Sequence, residues 1–232
     1  MPKLKYPVYL FIGLLATCFV LGCNNNDDDD DDTGSGSKDP IVLDCSIDEA
    51  TVLANDPDKD IDYIVPCVVD IDARLTVEAG TVIEFETGAG CEVQGNGALT
   101  AKGSAAAPIV MQGANETAGS WRGIYIETGD VNNQLDHVTI RHAGGDAFNS
   151  NDDRGSIILY AGGRLSLTNS TLEQGKEFGL QVNYSNTDLT FSNNTITTHE
   201  KAPVYTHPEL GKELDVDSDY SGNSQDFIHI YE

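Results

Sequence analysis

Four residues in one short stretch carry side chains suited to acid–base work: His137, Arg141, His142 and Asp146. A base, a cation and a carboxylate on one face can take up a proton and steady the charge that forms. Val138, Thr139 and Ile140 alternate as in a strand, so His137 and Arg141 are expected to project outward together. Basic residues are scarce elsewhere, and no second repeat supplies matching acids, so catalysis is not the leading reading of this cluster. Two aspartate strings also stand out, Asp56, Asp58 and Asp60, and Asp215, Asp217 and Asp219. Their spacing is that of calcium-ligating loops. An EF-hand further needs glycine at its sixth position and glutamate at its twelfth. Counted from Asp56 those positions are Ile61 and Cys67; counted from Asp215 they are Tyr220 and Asp226. That motif therefore fails, and looser calcium binding competes with plain acidic loops. Calcium is the one cofactor the sequence suggests. Tyr125, Tyr160 and Tyr184 form a third set, expected at out-facing positions of neighbouring repeats, where exposed rings could stack on sugars or simply pack on a sheet.

The elements that position these groups must come from 232 residues, a length that suits one compact domain. Thirteen Lys and Arg stand against 38 Asp and Glu, giving a net charge of -25. Phosphate backbones repel such a chain, so nucleic acid is excluded as a partner. The 23 glycines and 7% aromatic content favour a turn-rich β architecture over a helical bundle.

The N-terminus reads as an address. Lys3 and Lys5 precede an apolar run from Val8 to Leu21, shorter than the roughly 20 residues that span a bilayer and matching the core of a secretory signal. It ends in Val20-Leu21-Gly22-Cys23, which resembles the lipobox of bacterial exported lipoproteins. The resemblance implies cleavage before Cys23 and a lipid on its thiol, hence a membrane partner at the outer membrane. Residues 24–39 hold three asparagines, six consecutive aspartates and no apolar side chain, so an extended acidic tether is expected. That acidic run resembles the signals that send some Gram-negative lipoproteins to the cell surface. An oxidising location permits a disulfide between Cys45 and Cys67, while Cys91 reads as a small core residue.

From Leu75 onward short apolar alternations are separated by Gly, Asn and Ser. Leu165-Ser-Leu-Thr-Asn-Ser-Thr-Leu172 aligns with Leu189-Thr-Phe-Ser-Asn-Asn-Thr-Ile196, 24 residues later. Asp136 to Ile140 fits the same template 32 residues before Leu172, with the surplus in the polar stretch from Gly144 to Arg154. Ile124-Tyr-Ile, Ile157-Ile-Leu and Leu180-Gln-Val form a companion series. Repeats of this length without helical periodicity indicate a solenoid of short strands. Its in-facing residues are expected to be Leu75, Val77, Val82, Phe85, Leu99, Ile109, Ile124, Ile126, Val138, Ile140, Leu165, Leu167, Leu180, Val182, Leu189, Phe191 and Ile196. Asn169 and Asn193 hold equivalent positions, so their amides are expected to stack as a structural ladder.

Leu75-Thr-Val-Glu-Ala-Gly-Thr-Val-Ile-Glu-Phe, Gly97-Ala-Leu-Thr-Ala-Lys-Gly, Trp121-Arg-Gly-Ile and Leu135-Asp-His-Val-Thr-Ile resemble the right-handed parallel β-helix surface lipoproteins. The resemblance, over about residues 41–232, implies an all-β right-handed parallel β-helix of the pectate-lyase-like type. The expected organisation is a signal peptide over 1–22, a lipidated tether over 23–40, an N-terminal cap over 41–74 and the β-helix over 75–232. The C-terminal text offers no matching cap. It also echoes the run from Asp62 to Cys67, which suggests one module of a longer ancestor or a truncated product. The fold is shared by lyases and adhesins, so it does not choose a function. The reading preferred here is a non-enzymatic, lipid-anchored surface module for adhesion or glycan contact. The alternatives are a polysaccharide-active enzyme and a structural envelope component.

Overall fold

In the computed structural model the described residues are 39–231. Cys23, the expected signal peptide over 1–22 and most of the expected tether over 23–40 lie outside them. No helix among the described residues is long and apolar enough to cross a membrane.

The chain winds as a parallel solenoid whose successive coils each lay one short strand into three sheets. The first sheet runs from Ile41–Val42 through Tyr63–Val65, Val82–Phe85, Ile109–Gly113, Val138–Arg141 and Thr171–Glu173 to Thr195–Thr197. The second runs from Ser46–Ile47 through Val68–Ile71, Gly90–Val93, Ile124–Ile126, Gly155–Leu159 and Phe178–Val182 to Val204–Thr206 and His229–Ile230. The third runs from Thr51–Leu53 to Asp188–Ser192. Every pairing between named strands is parallel. The registers reproduce the repeat: Leu165 lies beside Leu189, Leu172 beside Ile196, and Ile124 beside Ile157 beside Leu180.

Alternate residues point inward, and equivalent ones stack into apolar columns. Ile83, Met111, Ile140, Leu172 and Ile196 form one such column, and Val77, Ala101, Leu135, Leu167 and Phe191 another. Each fully buried Ile or Leu contributes about 1.5–3 kcal/mol, so this stripe is the main stabilising term. Of the expected in-facing set, Val82 is corrected. Ile83 and Phe85 point in, and Val82 is half-buried on the other face. In Val-Ile-Glu-Phe either phase is readable, but the bulky ring of Phe85 decides it.

Two further expectations change. Within residues 41–74, expected as a cap before the first regular coil, residues 41–71 are themselves wound. Their strands pair in register with the coils that follow, Thr51 beside Leu75 and Val69 beside Cys91. The C-terminal end, expected to be open, is covered. A 3-10 turn, Pro208–Glu213, buries Leu210 against the core, and Leu214, Tyr220 and Ile228 pack beside it. The ring of Tyr220 stacks on Phe191.

Cys45 and Cys67 are joined in a disulfide that staples the first coil to the second, with Cα atoms 5.9 Å apart. Cys91 is a buried free thiol whose burial pushes its pKa up to about 12, so it is inert.

The corners carry the polar bookkeeping of the fold. His137, Asn169 and Asn193 all adopt left-handed backbone at the turn between third and first sheets. Asn193 Nδ2 donates to Asn169 Oδ1 at 2.6 Å, and Asn169 Nδ2 donates to Asp136 Oδ1 at 2.7 Å, so the amides form a ladder ending on a carboxylate. A second, buried ladder runs beneath it: Ser170 N donates to Asn194 Oδ1, and Asn194 N to Ser218 Oγ. His142, Gln174 and Thr198 form another left-handed row at the far end of the first sheet.

Candidate functional site

The acid–base cluster does not assemble. His137 and His142 sit in left-handed corners at opposite ends of the strand Val138–Arg141, not side by side on its face. With a strand rise of ~3.3 Å per residue they are separated by the strand's length. His137 Nδ1 lies 3.1 Å from Asp136 Oδ1. Burial opposes the Asp136 charge, but hydrogen bonds from Asn169 and Thr168 and the nearby His137 outweigh it and hold the carboxyl below its usual range. Arg141 does face outward, yet Glu173 on the next coil accepts from its Nε at 2.6 Å. His142 is buried, and Asp146 is an exposed residue of the following loop. Of the four, Arg141 and His142 line one polar cleft with Glu173 and Gln174, whereas His137 lies in the corner at the other end of the strand and Asp146 in the exposed loop.

The aspartate strings likewise do not converge. Among the described residues no three His, Cys, Asp or Glu side chains are grouped so as to hold a metal ion. Asp56 Oδ1 instead caps the backbone N–H of Asp58. Asp215 Oδ2 accepts from Asn193 N at 2.7 Å, and Asp219 Oδ1 accepts from Ser221. Short aspartates win these places because their carboxylates can close tight turns on nearby N–H groups. Among the described residues the calcium expected at Asp56, Asp58, Asp60, Asp215, Asp217 and Asp219 finds no grouped set of ligands, and Asp56, Asp215 and Asp219 accept from backbone N–H groups instead.

The tyrosines do gather. The three sheets present different outer faces. The first offers Glu84, Gln112, Arg141, Glu173 and Thr197 in one row, and the third Thr100, Gln134, Ser166 and Thr190. The second begins acidic with Asp70 and Glu92, then continues through Tyr125, Ile158, Gln181, Tyr205 and His229. Burial, reinforced by Asp70 and Glu127, raises the Glu92 carboxyl above its usual range. At the edge of this face Tyr160, Tyr184, His207 and Tyr231 follow one another 24, 23 and 24 residues apart, one per coil. Tyr160 and Tyr184 meet edge-on with centroids 4.7 Å apart, and Tyr205 stacks on Tyr231 at 5.6 Å. Tyr184, Tyr205, Tyr231 and Asn183 line a cleft of about 290 Å³.

Tyr125 must be removed from the exposed set. Its side chain points outward, but the loop from Gly144 to Arg154 folds back over it and leaves it 3% exposed. Phe148 stacks on Tyr125 at 5.3 Å, and Arg122 anchors the loop through Ala147 O at 2.8 Å. The loop also delivers Asp153, buried at 2% exposure, behind the cleft. Its carboxylate accepts from Asn149 Nδ2 at 2.7 Å, Gln181 Nε2 at 2.8 Å and Asn183 Nδ2 at 2.5 Å. Sequence reasoning found the insertion but not Asp153, Tyr205 or Tyr231. The 23- and 24-residue spacing could have found Tyr231.

The model of the right-handed β-helix region family matches residues 80–231. The chain belongs to that family. No curated protein matches it. No solved structure matches it either. Membership in the right-handed β-helix family accounts for the winding and the stacked columns. The family is a fold, so function must be argued from the aromatic face of this particular β-helix.

A second polar group in this β-helix is structural. His199 is 1% exposed, with Nε2 3.1 Å from Ser156 Oγ and Nδ1 3.3 Å from Asn223 Oδ1. Serine, histidine and asparagine in a line suggest a nucleophile, but Ser156 is wholly buried beneath Gly175, where no substrate can reach. Burial lowers the His199 pKa from 6.5 to about 4. The unfolded chain therefore binds a proton below pH ~6.5 that the folded chain refuses until about pH 4. Stability is complete above pH ~6.5 and falls by about 3 kcal/mol as the pH drops through that window. Urea unfolding of wild type and His199→Gln should show this loss only in the wild type. Parallel curves would refute it.

Proposed function

We propose that the protein is a non-enzymatic, surface-displayed binding module that contacts glycans through the outer face of its second sheet. The single observation that supports this reading is the aromatic cleft of Tyr184, Tyr205 and Tyr231, set on a rigid sheet and flanked by Tyr160 and His207. Flat rings with a hydroxyl at one end suit sugars, which present an apolar C–H face and a rim of hydroxyls. The neighbouring Tyr160 raises the Tyr184 pKa to about 12; a phenol is protonated at neutral pH in any case, so Tyr184 offers a donor there. The sheet supplies preorganisation: Tyr205 lies in the strand Val204–Thr206, Tyr184 follows the strand Phe178–Val182, and Tyr231 follows His229–Ile230 with its N–H bonded to Thr206 O. In this reading a lipid on Cys23 anchors the chain at the outer membrane.

The test is a glycan array with the wild-type chain and a Tyr184→Ala/Tyr231→Ala double variant. Two stacking contacts at about 1 kcal/mol each predict a loss of roughly 30-fold in affinity. Glycan binding undiminished in the double variant would place the contact elsewhere.

A further inference from the structure

The residues around the cleft specify more than a generic sugar. Asp153 is a buried carboxylate whose three hydrogen-bond donors are the neutral amides of Asn149, Gln181 and Asn183. The cations near this face are engaged elsewhere: Arg154 pairs with Asp152 at 2.6 Å, and Lys201 pairs with Glu177 and lies over the Phe178 ring. The Asp153 charge therefore reaches the cleft with no counterion beside it.

Asn183 carries that field to the cleft wall. A carboxylate only accepts hydrogen bonds, so Asn183 must turn its Nδ2 toward Asp153 and its Oδ1 away. That oxygen is buried and has no hydrogen-bond partner. It lies too deep for a ligand to touch, but the amide dipole that it ends adds its negative field to that of Asp153. The remaining walls are the rings of Tyr184, Tyr205 and Tyr231, whose negative π faces attract cations. The negative end of that dipole, the π faces and an uncompensated carboxylate all favour a positive charge. A uronate, which brings a further acceptor-only charge, meets repulsion from each of them and from a chain of net charge -25.

We propose that this cleft selects glycans bearing a free, protonated amino group, the ammonium seating on the tyrosine rings in the field of Asp153 and the Asn183 amide. The proposal rests on the glycan-binding reading and narrows it to one chemical class.

The experiment uses the full chain and a disaccharide with one free amine, compared with its N-acetylated twin and a uronate-containing disaccharide, titrated at 50 and 300 mM salt. One charge per probe limits diffuse attraction to the acidic chain. The expected result is about tenfold tighter binding of the free amine than of the N-acetyl form, weakening with salt. Asp153→Asn should erase that preference. Diffuse attraction would ignore the loss of one charge among so many, so a preference unchanged in Asp153→Asn overturns the assignment. Should that variant fail to fold, Asn183→Leu takes its place, and an undiminished amine preference there has the same meaning. Equal binding of the amine and N-acetyl probes, or preference for the uronate, overturns the inference but leaves the glycan reading standing. Absence of binding to any glycan, on these probes and on the array, removes both.

Discussion

Replacing Trp121 with alanine is expected to destabilise the protein by about 3–5 kcal/mol. Trp121 is fully buried and lies nearly parallel to Phe85, with centroids 3.9 Å apart and planes 13° from parallel. The register explains the contact. Phe85 pairs with Gly113 on the next coil, and Gly113 has no side chain to fill the column. The indole enters that gap; a Cβ on Gly113 would meet Trp121 Cδ1 at 3.1 Å. Its Nε1 donates to Arg141 O at 2.7 Å, tying the coil to the next one. Truncation removes the stack, opens a cavity and strips a donor from that carbonyl. Urea unfolding followed by circular dichroism measures the loss. A change below about 1 kcal/mol would mean that the column closes over the gap and that Trp121 is not its keystone.

Reducing the Cys45–Cys67 disulfide should have the next largest effect, about 3 kcal/mol for a bridge across 22 residues. The location makes the effect local. Each coil of a solenoid touches only its neighbours, and the first coil has only one. Its strands are two or three residues long, and Ile41, Val42 and Val52 remain exposed. Without the bridge, residues 41–62 should fray and be nicked by protease, while coils from Val82 onward stay protected. Equal protection of the first coil with and without reductant would show that its strand pairing alone suffices.

Much of this winding was legible in the sequence because stacking makes one coil resemble the next. Leu165 and Leu189 share a column, so the same side-chain size is demanded 24 residues apart. The insertion after Ile140 was legible for the same reason, as an offset of 32 against 24. The first coils were not. Strands such as Ser46–Ile47 are too short to show an alternation, and the aspartates between them read as a cap. His137 reads as a strand neighbour of Arg141, with His142 following nearby, because the left-handed corners of the two histidines leave the local pattern unchanged. Their spacing to Asn169 and Gln174, both 32 residues, carries the signal that they are turn residues. The cleft was only half visible. Tyr160 and Tyr184 follow the repeat. The cover over Tyr125 depends on where an inserted loop lands, and Asp153 gains its role only when three distant amides close on it. Such contacts are tertiary and leave no periodic trace.

The claim that matters most is that a sugar ring sits in the cleft beside Asn183. A crystal structure of the chain soaked with the tightest-binding array glycan tests it most directly. The expected result is a ring packed on Tyr184, Tyr205 or Tyr231 with its amino group on the Asn183 side of the cleft. A glycan seated on the first or third sheet, with the tyrosine cleft vacant, would contradict it.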